Sequence, residues 1–200
     1  MTNRALPAVP RVLVDADVYP RGWALDAILS MADADFLAPL WSRKVLEEAY
    51  RAMVGDQGRD GAAARSLLGY VAGSYPLGEC RPDPVVEAGL SLPDPGDRHV
   101  LAAALAGGAD AIVTYNLRDF PDAALSPLGL RAVGPDELVL ALVREDEEQA
   151  RRVFRDLVSR KRRPPRTMAE EAAGLRRAGL EGVAGWLEGR GGPEGGSGAA

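Results

Sequence analysis

A three-layer α/β/α domain with a central parallel sheet, carrying a C-terminal helical extension, is the fold class that this 200-residue sequence predicts. Short apolar runs alternate with stretches whose apolar residues recur at helical spacing. Helices separated by strands this short imply a parallel sheet covered on both faces. Past Pro135 the pattern is helical throughout.

Taken in order, residues 11–14 form a β-branched run ending in Asp15. Ala24, Leu25, Ile28 and Leu29 mark one face of a helix over 23–31. Residues 36–40 read as a second strand, and Ser42 as the N-cap of a helix over 43–54 whose face carries Val45, Leu46, Ala49 and Met53. A Gly-rich break at 55–61 precedes a helix through Leu67, Leu68 and Val71. The Pro-, Asp- and Gly-rich stretch 82–96 reads as loop, with a short extended piece at Val85 and Val86. Asp97 opens the next helix, Gly107 and Gly108 stop it, and residues 111–114 supply another strand. Helices follow over 136–143 and 145–158. After a basic run, Thr167 and Glu170 have the spacing of a capping box, and Leu175, Leu180, Val183, Trp186 and Leu187 give apolar faces to two further short helices. From Gly189 on, Gly, Pro and Ser dominate and no packed structure is expected. The expected division is a domain over 11–143, a helical extension over 144–188 and a disordered tail over 189–200, with no internal repeat.

With 46% hydrophobic residues the chain has the composition of a folded globular protein. No apolar run is long enough to cross a bilayer, and the N-terminal Met1-Thr2-Asn3-Arg4 leads to Pro7 and Pro10 instead of an apolar signal core, so a soluble cytoplasmic protein without membrane contact is expected. Cys80 is the one cysteine, which excludes an internal disulfide and a thiolate-rich zinc site and leaves it the role of a small filler. A net charge of −5 argues against nonspecific nucleic-acid binding, but charge is unevenly spread. Arg160, Lys161, Arg162, Arg163 and Arg166 form a dense basic run that reads either as an RNA-approach surface or as a solvated linker marked by Pro164 and Pro165.

The acids carry the chemistry. In parallel sheets the working groups lie beyond the C-terminal ends of the strands, and Asp15 and residues 116–119 both fall there. Asp15, Asp17, Asp97 and Asp119 thus describe carboxylates from distant parts of the chain gathered at one sheet edge, which is how a protein holds a hard metal ion. Taken alone, Asp97 is more simply a helix N-cap, and Asp94 is a turn residue. Between Glu47 and Glu48, the step of about 100° per residue puts Glu48 on the margin of the Val45/Ala49/Ala52 face and Glu47 further toward solvent, so Glu48 is preferred. His99 fits packing or a cap hydrogen bond. Thr114 either positions the loop after it or is an ordinary strand residue. Lys44, Arg98 and Arg118 are candidate phosphate contacts whose alternative is solvated surface.

The segments Val12-Leu13-Val14-Asp15-Ala16-Asp17-Val18, Ser42 to Glu48, Asp94-Pro95-Gly96-Asp97-Arg98-His99-Val100-Leu101-Ala102-Ala103-Ala104 and Ile112-Val113-Thr114-Tyr115-Asn116-Leu117-Arg118-Asp119-Phe120 resemble, in order, the successive motifs of PIN-domain nucleases. The last two together are specific; the first alone is weak. The chain looks most like bacterial VapC-type toxins. The resemblance implies an endoribonuclease that holds Mg2+ or Mn2+ through Asp15, Glu48, Asp97 and Asp119, with Asp17, Thr114 and Asn116 completing a polar shell. It also implies an RNA substrate, an antitoxin partner in a type II toxin–antitoxin system, and a homodimer. It turns Asp97 from a cap into a ligand. Asp17 departs from the family, which usually has Asn there, and adds negative charge. The chemistry agrees, since phosphodiester hydrolysis needs an activated water and an offset for charge on the phosphoryl oxygens, and a hard divalent ion on carboxylates supplies both.

Two rivals stand beside this reading. Asp15-Ala16-Asp17-Val18 also fits the nucleophile motif of haloacid-dehalogenase-like phosphatases. That fold needs Thr or Ser, then Lys, then a late acidic pair, whereas here Thr114 follows Asp94 and Asp97 and the only later lysine is Lys161. The other rival is a catalytically silent PIN-like module that binds RNA or a protein.

Overall fold

The computed structural model describes residue 7, residues 9–162 and residues 165–189. Arg163, Pro164, the N-terminal Met1 to Arg4 and the tail past Gly189 lie outside the described residues.

Four strands, β1 (Arg11–Val14), β2 (Ala38–Leu40), β3 (Ala111–Val113) and β4 (Ala132–Val133), build one parallel sheet in the order β2-β1-β3-β4. Parallel pairing needs long crossovers, and helices supply them. Helix α1 (Gly22–Ala32) joins β1 to β2, and α2 (Arg43–Arg51), α3 (Gly61–Ser74), α4 (Pro84–Gly89) and α5 (Arg98–Ala106) lie between β2 and β3. The short α6 (Asp122–Leu125) precedes β4. From β1 the chain moves to one side of the sheet for β2 and to the other for β3 and β4, so the strand order reverses between β1 and β3. Such a reversal opens a crevice at the carboxyl ends of the two strands. The β1–β3 ladder pairs Val14 with Val113 and is prolonged by the bond from Asp15 N–H to the Val113 carbonyl at 3.1 Å. The first acid is therefore clamped to the sheet.

Helices α7 (Pro135–Glu145), α8 (Glu147–Arg160), α9 (Met168–Arg177) and α10 (Glu181–Leu187) complete the chain. Helices α7, α8 and α9 pack on α1, and α10 packs on α7 and α9. One apolar core runs unbroken from Leu13 and Ile112 in the sheet through α1 to Phe154, Leu175 and Trp186. Where α9 crosses α1 the backbones come close: a Cβ on Gly174 would stand 2.3 Å from the Trp23 indole, so only glycine fits. Arg166 lies over the same indole at 4.0 Å. Cys80 is buried and sits against Gly107, at which a Cβ would come 2.5 Å from its Sγ.

Local signals explain most boundaries. The Ser42 hydroxyl accepts from Val45 N–H, and Thr167 and Glu170 form the reciprocal capping box. Three expectations are corrected, and two elements are new. Val85 and Val86 lie in α4 and are not extended, because the Asp83 carboxylate accepts from Val85 N–H at 2.8 Å and Pro84 occupies the first helical position; that cap outweighs β-branched propensity. The second strand begins at Ala38 and not at 36, since Phe36 N–H is still bonded to the Met31 carbonyl around a left-handed Asp35. The helix from Arg43 is α-helical to Arg51 and then loosens into a π turn, Ala52–Asp56. Strand β4 and helix α6, of 2 and 4 residues, show no periodicity by which to find them.

The basic run is largely spent on structure. Arg160 donates to Ser30 Oγ at 3.2 Å, Lys161 pairs with Asp26, and Arg166 stands 3.8 Å from Glu171 as well as over Trp23. Three of its cations thereby tie the C-terminal helices to one another and to α1. Among the described residues, no helix is long and apolar enough to cross a membrane.

Candidate functional site

At the β1–β3 crevice the backbone turns away from Asp15, whose Oδ1 accepts from Ala16 N–H at 2.6 Å. Only 8% of Asp15 is exposed, although it carries a carboxylate. Two residues on, Asp17 reaches across to the loop after β3, where its Oδ2 accepts from Tyr115 N–H at 3.0 Å and from the Thr114 hydroxyl at 3.2 Å. Thr114, fully buried, accepts in turn from Asn116 N–H at 3.0 Å. Thr114 therefore positions the loop, and Asp17 straps that loop to β1. The other carboxylate oxygen of Asp17 is buried without a partner. The Asn116 amide donates to the Asp119 carboxylate, which ends the 3-10 turn Leu117–Asp119.

Asp97 closes a 3-10 turn and precedes α5, but its side chain caps nothing. Asp94 makes the turn instead, accepting from Gly96 N–H at 2.7 Å. The capping reading of Asp97 thus fails, and its carboxylate is left for other work. On α2, Glu48 is partly buried, with its Oε2 2.9 Å from His99 Nε2, whereas Glu47 is exposed beside Tyr50 and Arg51. The His99 ring is sealed from solvent and neither nitrogen makes an aligned hydrogen bond, so the Glu48 contact is close in distance but poor in direction. Burial holds the imidazole below its ordinary ionisation range despite Glu48.

The acids feel one another's charge. Burial, then the charges of Asp17 and Asp119, push the Asp15 carboxyl up to about 6, against the Thr114 hydroxyl and Ala16 N–H, which favour the charged form. Asp97 is likewise pushed up to about 6, by burial and then by Asp15, Asp119, Asp94 and Glu48. Asp17 is raised by burial, opposed by Tyr115 N–H, Thr114 and the Arg21 guanidinium. Acids from four separate segments therefore repel one another across one crevice. Among the described residues, no three His, Cys, Asp or Glu side chains form a ready-made metal cage, so the acids meet at electrostatic range.

The candidate phosphate contacts are less uniform. Lys44 pairs with Glu87 at 3.0 Å, Arg98 is half-buried with its Nε unpartnered, and Arg118 is exposed. Lys161, which the phosphatase reading needs, is engaged by Asp26. Two residues that sequence reasoning passed over belong to the setting. Arg21 lies over the Tyr115 ring at 4.1 Å and favours the charged form of Asp17, and Tyr115 bonds to Ala178. Nothing in their spacing announces these contacts, which join residues far apart in sequence.

Comparison with known proteins agrees with this architecture. The family profile described as PIN domain matches residues 11–118, and that described as VapC50 C-terminal domain matches residues 135–189. The curated protein named Putative ribonuclease VapC50, from Mycobacterium tuberculosis (strain ATCC 25618 / H37Rv), is 44% identical over 71 residues, which is 36% of this chain. The match spans 42% of that relative's length. No solved structure matches. With more than half of its length matched by one profile and its last helices by another, the chain belongs to the PIN-domain family and carries a VapC50-type C-terminal domain.

Proposed function

We propose that this protein is a divalent-metal-dependent endoribonuclease, the toxin component of a type II toxin–antitoxin system. One observation carries the reading: Asp15 and Asp97, far apart in sequence, hold each other and Asp119 in mutual repulsion at the sheet's switch point. A cluster of acids that repel one another, relieved at Asp17 by the Arg21 guanidinium but governed by other acids at Asp15 and Asp97, favours binding of an external cation. The donor set of Asp15, Glu48, Asp97 and Asp119 fits Mg2+ or Mn2+ because it is oxygen-only, and beside it in the polar shell Asp17 carries a buried, unpartnered oxygen.

In this reading Asp15, Glu48, Asp97 and Asp119 hold the ion and are the catalytic residues. When bound, the ion makes water nucleophilic near neutral pH and offsets charge on the phosphoryl oxygens. The chain's own groups do the rest. Asp15 is fixed to the sheet by its N–H bond to Val113, while Asn116 orients the Asp119 carboxylate. Thr114 and Asp17 keep the loop against β1, and His99 limits the swing of Glu48. One carboxylate of the four accepts a proton from the attacking water. Arg98 and Arg118 flank Asp97 and Asp119 in sequence and are the phosphate contacts we favour over Lys44, which is held by Glu87.

We further propose that residues 11–143 form the nuclease unit and 144–188 its helical extension, that the protein works in the cytoplasm as a homodimer, and that an antitoxin protein restrains it. The test is direct. Purified protein incubated with RNA and Mg2+ should cut internal phosphodiester bonds, and a chelator should stop it. Inorganic phosphate released from a phosphomonoester, with RNA intact, would install the phosphatase in its place. RNA bound but uncut in either metal would leave a silent binding module.

A further inference from the structure

The loop that carries Asn116 and Asp119 is held on one side by Asp17. On the other side it touches the C-terminal helices. Past the end of α9, Ala178 N–H bonds to the carbonyls of Gly174 and Leu175 at 3.0 Å, Gly179 swings to φ +84°, and Leu180 N–H closes on Leu175 at 2.9 Å. Such a left-handed reversal satisfies some of the carbonyls that a helix end leaves without partners. The Ala178 carbonyl is met by a different donor, the Tyr115 hydroxyl, at 2.6 Å. The turn itself is immobilised from beyond, because Asp136 on α7 accepts from Gly182 N–H at 3.0 Å and from Val183 N–H at 2.9 Å at the start of α10.

We propose that Tyr115 is a positioning residue through which the α9–α10 turn sets the loop presenting Asn116 and Asp119. Its ring is gripped at both ends, by the Arg21 guanidinium over its face and by Ala178 at its hydroxyl. Its backbone N–H is in turn donated to Asp17. A short aromatic arm with two rotatable bonds loses little freedom when fixed this way, and it transmits the position of the C-terminal helices to the residue beside Asn116. Burial keeps the phenol protonated well above neutral pH, so the donor is always present. The C-terminal helices are then part of the active-site scaffold. The consequence for cleavage rests on the nuclease reading; the mechanical link does not.

Tyr115→Phe in the full chain removes the hydroxyl and keeps the ring and its cation. We expect amide exchange at Tyr115 and Asn116 to speed up about tenfold, the scale of one lost hydrogen bond, while Ile112 and Val113 in β3 are unchanged. We expect kcat for RNA cleavage to fall by a similar factor, with KM nearly unaltered and Tm lowered by no more than a few degrees. Gly179→Val, which forces the turn out of its left-handed geometry, should reproduce both effects, and Gly179→Asn, which tolerates that geometry, should not. Unchanged exchange at Tyr115 and Asn116 in Tyr115→Phe overturns the proposal whatever the activity. So does faster exchange with unchanged kcat in a protein that cuts RNA. If the wild-type protein leaves RNA intact, the nuclease reading falls, and the exchange rates alone decide whether the clasp exists.

Discussion

Asp15 and Glu171 are both buried carboxylates raised above their ordinary ionisation range by loss of water, yet their neighbours are opposite in kind. Asp15 faces other acids at the mouth of the sheet. Glu171, in the first turn of α9, has no aligned hydrogen bond, but it stands 3.8 Å from Arg166 and feels Lys161. Burial alone therefore marks neither as functional. What separates them is the sign of the surrounding charge: between the C-terminal helices and α1 the chain supplies its own cations, whereas the charges that act most on Asp15 are those of other acids, with Arg21 reaching Asp17 beside it. A buried carboxylate that is balanced internally behaves as a strut, whereas one left among its own kind is, in the reading we propose, where an external cation would bind.

The sharpest way to break this contrast is Asp15→Asn. We expect RNA cleavage to drop by at least about a hundredfold, on the scale of losses at metal sites. In chelator the same variant should be more stable than wild type at pH 7, since a carboxyl pushed up to about 6 costs the folded state on the order of 3 kcal/mol when ionised. That is a gain of several degrees in Tm. Activity retained by the variant would remove Asp15 from the mechanism.

A second prediction follows the same charge through pH. Between the ordinary range of an aspartate and about 6, the folded protein binds more protons than the unfolded chain at Asp15, and Asp97 acts in the same sense. Its contribution to stability is therefore lost as pH rises across that window and is level above it. Urea unfolding in chelator should show the advantage of Asp15→Asn growing from about pH 4 to about pH 6 and then holding constant. An advantage independent of pH would mean that the ionised carboxyl, buried and set among other acids, is not its source.

The smallest effect belongs to the other member of the pair. For Glu171→Gln we expect cleavage within about twofold of wild type and a stability change below about 1 kcal/mol, because Arg166 keeps Trp23 and Lys161 keeps Asp26 when the charge is gone. A large loss of cleavage without unfolding would dissolve the distinction between strut and site.

How much of this was legible in the sequence depends on the range of the interaction responsible. Helix starts at Ser42 and Thr167 and the stop at Gly107 are written locally, in side chains that bond within a turn or in backbone freedom. The placement of Asp15, Asn116 and Asp119 past strand ends was legible because a strand end is a one-dimensional position, and the helical wheel anticipated that Glu48 is more buried than Glu47. Val85 and Val86 were misread because their own propensity was weighed above the Asp83-Pro84 cap in front of them. The basic run left two readings open, since the pairing of Lys161 with Asp26 joins residues 135 positions apart. The bond from Tyr115 to Ala178, spanning 63, and the seat of Glu48 beside His99 likewise exist only once the chain has folded.

Helix α5 begins beside Asp97, and just past its other end Gly107 shuts over Cys80, so that the thiol is walled in by backbone that has no room for a side chain. Burial also holds this thiol above its ordinary ionisation range, which keeps the reactive anion scarce. Cys80 nevertheless helps to line a surface pocket with Ser42, Arg81 and His99, so alkylating agents, peroxide and glutathione meet a thiol that is slow to react because it is nearly covered and seldom ionised.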